Sequence, residues 1–175
     1  LTPFWCTKPV VLTLLVHQNG GVGGLAVGWG QTARVEGCGE ECDHWFEGLA
    51  DHMGAGYLRY SFTKGTVREI DALIERLGLE SPARVLDVGC GPGRHANDLG
   101  RRGFVVHGVD ISQKFLDVAG ETAPDGVTYE RIDARAMPFE REFDVVISIC
   151  QGAFGMSGGP AAGPTLDPDK EILAG

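Results

Sequence analysis

The sequence predicts an α/β fold in which a mainly parallel sheet lies between helical layers, a three-layer sandwich. From residue 81 onward, short apolar segments alternate with segments of helical periodicity, the pattern typical of βαβ units. The apolar segments are nearly continuous, as expected of strands that are buried on both faces. A glycine-rich turn joins the first strand to the helix that follows. The 175 residues of the chain suit one ordinary domain.

Four strands and their connecting helices follow one another along the chain. The strands are predicted at 84–88, 104–109, 127–131 and 143–149. A helix over 93–102 ends at Gly103, and Ser112 caps a second helix that runs to about Ala119. These elements form one continuous α/β unit over residues 81–175.

The two regions upstream of that unit differ from it and from each other. Residues 1–42 are glycine-rich and lack periodicity, which predicts a leader that is disordered or not native to the folded protein. Residues 43–80 are amphipathic and predict an N-terminal helical cap. The sequence therefore divides into a leader, a cap and the α/β unit.

The cap region contains one well-defined helix signal. Thr66 and Glu69 have the spacing of a capping box, in which each side chain satisfies an amide of the first turn. Gly78 ends the helix. Tyr57, Tyr60 and Lys64 precede it and are candidates for a lid or for a contact with a carboxylate.

The net charge of the chain narrows the classes of molecule that we expect it to bind. The chain has 24 acidic and 15 basic residues, a formal net charge of −9. Such a surface repels phosphate backbones, so we expect no nucleic-acid partner. Arg94, Arg101 and Arg102 are the densest basic group, and the sequence predicts that they decorate the solvated face of one helix.

Cysteine content and apolar runs bear on compartment, membrane and metal. The five cysteines are an odd number without disulfide-like spacing, which predicts a cytoplasmic protein. The apolar run at 10–16 is too short for a membrane span, which needs about 20 residues. Cys38, Cys42 and His44 are fewer than the four ligands of a structural zinc site, so no metal is predicted.

The glycine-rich turn is the first candidate site. It follows Asp87 and contains Gly89, Cys90, Gly91 and Gly93. Glycines keep the turn free of side chains, so a ligand can lie against the main chain at a helix N-terminus. A dinucleotide site would place a third glycine where this chain has an arginine. A carboxylate at the strand end suits an ammonium group better than a pyrophosphate, which favours S-adenosylmethionine over NAD.

Two further motifs lie at the ends of the next two strands. Asp110 closes the second strand, where a carboxylate can accept hydrogen bonds from ribose hydroxyls. Asp133 and Ala134 follow the third strand. An acid beside a small residue can receive the adenine amino group and leave room for the ring.

These motifs, in this order and spacing, resemble those of the class I S-adenosylmethionine-dependent methyltransferases, over residues 84 to about 155. The resemblance implies a Rossmann-like sheet of seven strands, of which this chain supplies about four in the order 3-2-1-4. The chain would then be truncated at its C-terminus. It looks like the small bacterial methyltransferase-domain proteins.

The resemblance also implies a role for each candidate residue. The glycine loop would line the cofactor, with Asp87 near the methionine amino group. Asp110 would hold the ribose, and Ile111 would lie against the adenine. The implied cofactor-binding set is Asp87, Gly89, Cys90, Gly91, Gly93, Asp110, Ile111, Asp133, Ala134 and Cys150. Cys150 belongs to the segment where family members bring the methyl group to the acceptor.

The function that follows is methyl transfer from S-adenosylmethionine, with a small molecule as the expected acceptor. No catalytic base is identified, because neither His95 nor His107 has an evident orienting partner in the sequence. Two alternatives stay open. The chain could be a non-catalytic fragment that only binds the cofactor, or a NAD-dependent oxidoreductase, which the glycine spacing disfavours.

Overall fold

A computed structural model describes residues 45–149, and its centre is one parallel sheet. The strands are β1 (Arg84–Val88), β2 (Val105–Asp110), β3 (Val127–Arg131) and β4 (Val145–Ile147). Their order across the sheet is β3-β2-β1-β4, which confirms the predicted topology. Asp87 lies opposite Gly108 of β2 and Ile147 of β4. The carboxyl ends of β1, β2 and β4 therefore meet at one edge.

The fourth strand is shorter than predicted. Of the predicted strand residues 143–149, only the three residues Val145–Ile147 form β4. Just before it, the Asp144 amide donates to the Arg84 carbonyl at 2.9 Å, and the Asp144 carboxylate accepts the Arg84 amide hydrogen at 2.8 Å. Phe143 and Ile149 are both buried without belonging to the strand. Apolar residues in a sequence predict burial, and here the buried residues extend beyond those that form the hydrogen bonds of the strand.

Four α-helices accompany the sheet in the described range. They are α1 (Trp45–Met53), α2 (Thr66–Leu77), α3 (Arg94–Arg101) and α4 (Gln113–Gly120). Short 3-10 turns occupy Gly54–Arg59, Ser61–Gly65 and Ala134–Ala136. Gly78 ends α2 in the left-handed conformation, at φ 58°. The Ser112 hydroxyl caps α4 by accepting the Phe115 amide hydrogen at 3.2 Å. Both of these helix boundaries confirm the predictions.

The predicted capping box at the start of α2 is wrong. Thr66 is the first helical residue, and its N-cap, Gly65, makes no side-chain capping bond. The Thr66 hydroxyl donates instead to the Thr63 carbonyl at 2.7 Å. Within the described residues, Glu69 accepts no hydrogen bond from an amide of the first turn, although its carboxylate lies beside Gly65, because it binds Arg94 and His95. Cationic and imidazole donors from another helix outcompete a solvated backbone amide for a carboxylate.

The core lies on both faces of the sheet. On one face, side chains of α2 and α3 pack on the strands, in a cluster that contains Ile70, Leu73, Val85, Leu99, Val106 and Ile147. Helix α4 lies beside α3, since Asn97 Nδ2 donates to the Ala119 carbonyl at 3.1 Å. On the other face, Leu86, Val88, Val109 and Phe143 pack against partly buried residues of the segment 132–146.

The division into leader, cap and α/β unit stays a prediction. Residues 1–42 lie outside the described residues, as do Cys38, Cys42 and His44 of the zinc hypothesis. The cap region contributes α1, α2 and the two turns between them. None of the helices described over residues 45–149 has the length and apolar character that crossing a membrane requires.

Candidate cofactor site

The glycine loop lies at the carboxyl edge of the sheet, between β1 and α3. Gly89, Gly91 and Gly93 have φ values of 70°, 54° and 75°, which side-chain-bearing residues rarely adopt. The amides of Gly89 and Cys90 both donate to the Val109 carbonyl, at 2.8 and 3.0 Å. The loop therefore does not present these two amides to a ligand. What it offers is a main-chain surface without side chains.

Asp110 at the end of β2 fixes the next residue of the loop. One of its oxygens accepts the Gly91 amide hydrogen at 2.8 Å, and the other accepts that of Ser112 at 2.9 Å. Each carboxylate oxygen has two acceptor positions. Burial raises the pKa of Asp110, and hydrogen bonds from the amides of Ser112, Gly91 and Ile111 oppose that rise. The carboxylate thus holds the loop and can still accept a further donor such as a ribose hydroxyl.

Gly93 is required by close packing at the start of α3. A β-carbon built there would lie 2.7 Å from the Ala119 side chain and would overlap the Tyr129 hydroxyl. That hydroxyl donates to the Asn97 side chain at 2.8 Å. Gly93 therefore allows the loop to pack closely on α4 and β3. The need for glycine at this predicted site residue is explained by the packing of the loop.

Asp87 is the least solvated charged group at this edge. Its residue surface is 1% exposed, and its Oδ2 has no hydrogen-bond partner among the residues that the structure describes. Burial and the nearby Asp110 carboxylate raise the pKa of Asp87 to about 7, although Arg94 lowers it. A buried carboxylate oxygen without a donor is costly. An ammonium group placed here would supply the missing donor and the missing positive charge.

Cys90 turns its side chain into the protein. The residue is buried, and its thiol sulfur would lie 3.0 Å from a β-carbon built on Gly108 of β2. Burial raises the pKa of the thiol well above its usual value, so the group is neutral. Any contact that Cys90 makes with a cofactor therefore involves its main chain.

The predicted adenine-side residues are adjacent in space. The Ile132 amide donates to the Asp110 carbonyl at 3.1 Å, which brings the chain after β3 beside Ile111. Asp133 caps the turn Ala134–Ala136 and forms an ion pair with Arg135. Ala134 is partly buried against the second core cluster. The structure brings all three segments of the predicted site to one edge.

The end of β4 completes this edge, and the sequence analysis did not select its polar residue. Ser148 follows β4, is 5% exposed, and its hydroxyl oxygen has no hydrogen-bond partner within residues 45–149. A polar residue at the end of an apolar strand was the available signal. Cys150, two residues later, lies outside the described residues.

A buried ion cluster behind the glycine loop was also missed. Arg94 does not decorate a solvated face: its side chain is 6% exposed and pairs with Glu69 at 2.5 Å. His95 Nε2 lies 2.8 Å from the same carboxylate, so this histidine does have an orienting partner. The prediction failed because the partner is 26 positions away in the sequence. Arg102 is half-buried and pairs with Asp71 and Asp98.

A group of aromatic side chains lies beside the glycine loop. Phe115 of α4 is 1% exposed, and its ring would be 4.0 Å from a β-carbon on Gly91. Phe46 and Tyr57 pack edge-on against it, with centroids 5.9 and 5.2 Å away. Tyr60 is half-exposed. The cap region therefore contacts the site through Phe115.

Comparison with known proteins relates this edge to a family. Residues 85–157 match a family described as a methyltransferase domain. This part of the chain is therefore similar to methyltransferase domains. The match begins within β1, includes the glycine loop, Asp110 and Asp133, and extends beyond β4. Glu69 of α2 and the whole of α1 lie outside it.

Proteins named as methyltransferases also match part of the chain. A trans-aconitate 2-methyltransferase of Mycobacterium tuberculosis is 36% identical over 94 residues, 53% of this chain and 34% of the relative. The methyltransferase GfsG of Streptomyces halstedii is 36% identical over 89 residues, 47% of this chain and 32% of the relative. The chain thus spans about a third of the length of these relatives.

Solved methyltransferase structures also align with the chain. A methyltransferase from Geobacter sulfurreducens, described in complex with S-adenosyl-L-homocysteine, has a TM-score of 0.47 at 29% identity. That alignment covers 61% of this chain and 42% of the other.

Proposed function

We propose that the protein binds S-adenosylmethionine at the carboxyl edge of the sheet and transfers its methyl group to a small-molecule acceptor. The observation that carries the proposal is the unpartnered, buried oxygen of Asp87 beside a loop that lacks side chains. S-adenosylmethionine supplies an ammonium group for that oxygen and a methyl group activated by a sulfonium. NAD would bring a pyrophosphate to a carboxylate that is already destabilised by burial.

The cofactor contacts follow from the positions of the side chains. Asp87 would receive the ammonium group, and the remaining acceptor capacity of Asp110 would receive a ribose hydroxyl. Ile111, Asp133 and Ala134 would line the adenine. For methyl transfer itself, the protein mainly orients the donor and the acceptor and excludes water. A base is needed only where the acceptor must lose a proton.

The acceptor proposed is a small anion. Residues 52–68 contain no acidic residue but carry Arg59, Lys64 and Arg68, in a chain of net charge −9. All three cations are exposed, and none forms an ion pair within the part of the chain that the structure describes. Tyr57 joins this segment to Phe115 beside the glycine loop. The mycobacterial relative is named for trans-aconitate, so organic acids should be the first acceptors assayed.

Calorimetric titration with S-adenosylhomocysteine tests the cofactor site. We expect micromolar binding by the wild-type protein and a loss of at least about tenfold in Asp110→Ala, which removes the ribose acceptor and the anchor of Gly91. Asp117→Asn is the matched control, because this exposed carboxylate bonds only Gln113 of its own helix. NAD is titrated in parallel. Binding of NAD in place of S-adenosylhomocysteine would contradict the proposal, as would transfer confined to nucleic acid or protein acceptors.

A further inference from the structure

Glu47 of α1 brings a buried carboxylate to the site from outside the region that the family match covers. The residue is 8% exposed, although it carries a charge. Its Oε2 pairs with Arg131 at 2.8 Å. Its Oε1 is also buried and has no hydrogen-bond partner among residues 45–149. A buried carboxylate oxygen without a donor is costly, so Oε1 is available to a donor that a ligand would bring.

Two hydrogen bonds of Arg131 fix the place of this carboxylate. The guanidinium donates through Nη2 to Glu47 and through Nε to the Ile111 carbonyl at 2.9 Å. Because a guanidinium is small and planar, it holds the Glu47 carboxylate beside the main chain of Ile111. Arg131 also lies opposite Asp110 in the register of β2 and β3. Glu47 therefore lies next to the segment that the proposed site assigns to the adenosine of the cofactor.

Asp110 has room for only part of a ribose. The amides of Gly91, Ser112 and Ile111 already donate to its carboxylate, which offers about four acceptor positions. One position is left, whereas a ribose presents two adjacent hydroxyl donors. Burial raises the pKa of Asp110, and the charge of Glu47 adds to that rise, as expected of two carboxylates near the same site. A ligand with two neighbouring donors would satisfy both carboxylates.

We propose that Glu47 is a cofactor-binding residue, whose Oε1 accepts one of the two ribose hydroxyls while Asp110 accepts the other. The inference rests on the proposed function, since it assigns a contact within that same site. The cap region then contributes a direct contact with the cofactor, in addition to its packing against Phe115.

Ribose analogues of the ligand test this contact. S-adenosylhomocysteine and its 2′-deoxy and 3′-deoxy analogues are titrated by calorimetry into the wild type and into Glu47→Met, which removes both carboxylate oxygens at similar volume. In the wild type, loss of either hydroxyl should weaken binding about tenfold, because each hydroxyl donates to a charged acceptor. In Glu47→Met, one of these two affinity ratios should fall below about twofold, and the other should persist.

Two control variants separate a direct contact from packing and from net charge. Phe46→Leu weakens the packing of α1 on Phe115 and retains the carboxylate of Glu47. Asp51→Met neutralises an exposed carboxylate on the same helix. Both controls should keep the two affinity ratios of the wild type, even where the affinity for S-adenosylhomocysteine itself falls.

Loss of one affinity ratio in Glu47→Met alone supports the contact. Two unchanged ratios in that variant would overturn it, as would loss of the same ratio in either control or a wild type in which only one hydroxyl matters. Should Glu47→Met fail to fold, the carbon-13 NMR signal of the Glu47 carboxyl in the wild type decides. That signal should move on binding of S-adenosylhomocysteine and move clearly less with one deoxy analogue, and equal shifts with all three ligands would overturn the contact. A wild type that binds none of them would instead contradict the proposed function.

Discussion

Burial of the Asp87 carboxyl has a cost in stability that depends on pH. The folded-state pKa of this carboxyl, about 7, lies above the ordinary value of 3.8. Between these values the native protein binds more protons than the unfolded chain. The contribution of Asp87 to the free energy of unfolding therefore falls as the pH rises from 3.8 to about 7. Such an arrangement persists in a protein when the group serves a ligand.

Asp87→Asn should consequently stabilise the ligand-free protein at pH 8. Replacing a desolvated charge with a neutral amide is expected to raise the free energy of unfolding by about 1–2 kcal/mol. The gain should shrink at pH 5, where Asp87 is protonated in the native state. Urea denaturation at both pH values measures it, with Asp117→Asn as the exposed control. Equal losses of stability at pH 5 and pH 8 would contradict the assigned pKa, and S-adenosylhomocysteine affinity should fall in the same variant.

Glu69 shows the limit of predictions that consider only neighbouring residues in the sequence. Its spacing from Thr66 satisfied a local rule, yet the carboxylate binds two side chains of another helix. Local rules consider only neighbours in the sequence, whereas charged partners that approach through folding compete with them. Candidate residues such as Asp87 and Asp110 lie at one edge because they follow strands whose order is restricted by topology.

At the scale of elements, Gly100 of α3 lies where this helix contacts β3. A β-carbon on Gly100 would lie 2.8 Å from Pro124 and would overlap the Val127 side chain. Gly120 of α4 is also helical, but a β-carbon there would meet nothing within 4 Å. The two positions look alike in the sequence and differ only in their surroundings.

Gly100→Ala and Gly120→Ala should therefore have opposite effects. We expect Gly100→Ala to lower the free energy of unfolding by about 1–3 kcal/mol, because α3 must move away from β3. Gly120→Ala should be neutral or should stabilise by up to about 1 kcal/mol through helix propensity. Thermal and chemical unfolding of the two variants provide the measurement. A Gly100→Ala variant as stable as Gly120→Ala would show that α3 packs less closely on β3 than described.

For the whole molecule, Phe115 joins the cap region to the α/β unit. Its ring contacts Phe46 of α1 and Tyr57 of the following turn, and it lies beside Gly91. A second link is the ion pair of Glu47 with Arg131 at 2.8 Å, in which Arg131 also donates to the Ile111 carbonyl. The cap is thus fastened to the two segments that the proposed site uses.

Phe115→Ala should loosen the cap selectively. Removal of a buried ring is expected to cost about 3–5 kcal/mol, and hydrogen exchange should accelerate first in residues 46–60. Phe104→Ala is the matched control, because Phe104 is equally buried in the cluster under α2 and α3. It should lower stability without singling out α1. Uniform acceleration in both variants would show that the cap is not a separate unit held by Phe115.

The sequence by itself determined the fold class, the strand order, two helix ends and the edge at which the candidate residues gather. Strand burial, glycine conformation and the Ser112 cap are encoded within a few neighbouring residues, and parallel topology then brings strand ends together. Only the tertiary structure decided the partners of Arg94, His95 and Glu69, the inward turn of Cys90, and the lack of a donor for Asp87 Oδ2 among the described residues. These depend on contacts between residues far apart in the chain, where packing and desolvation override local preference.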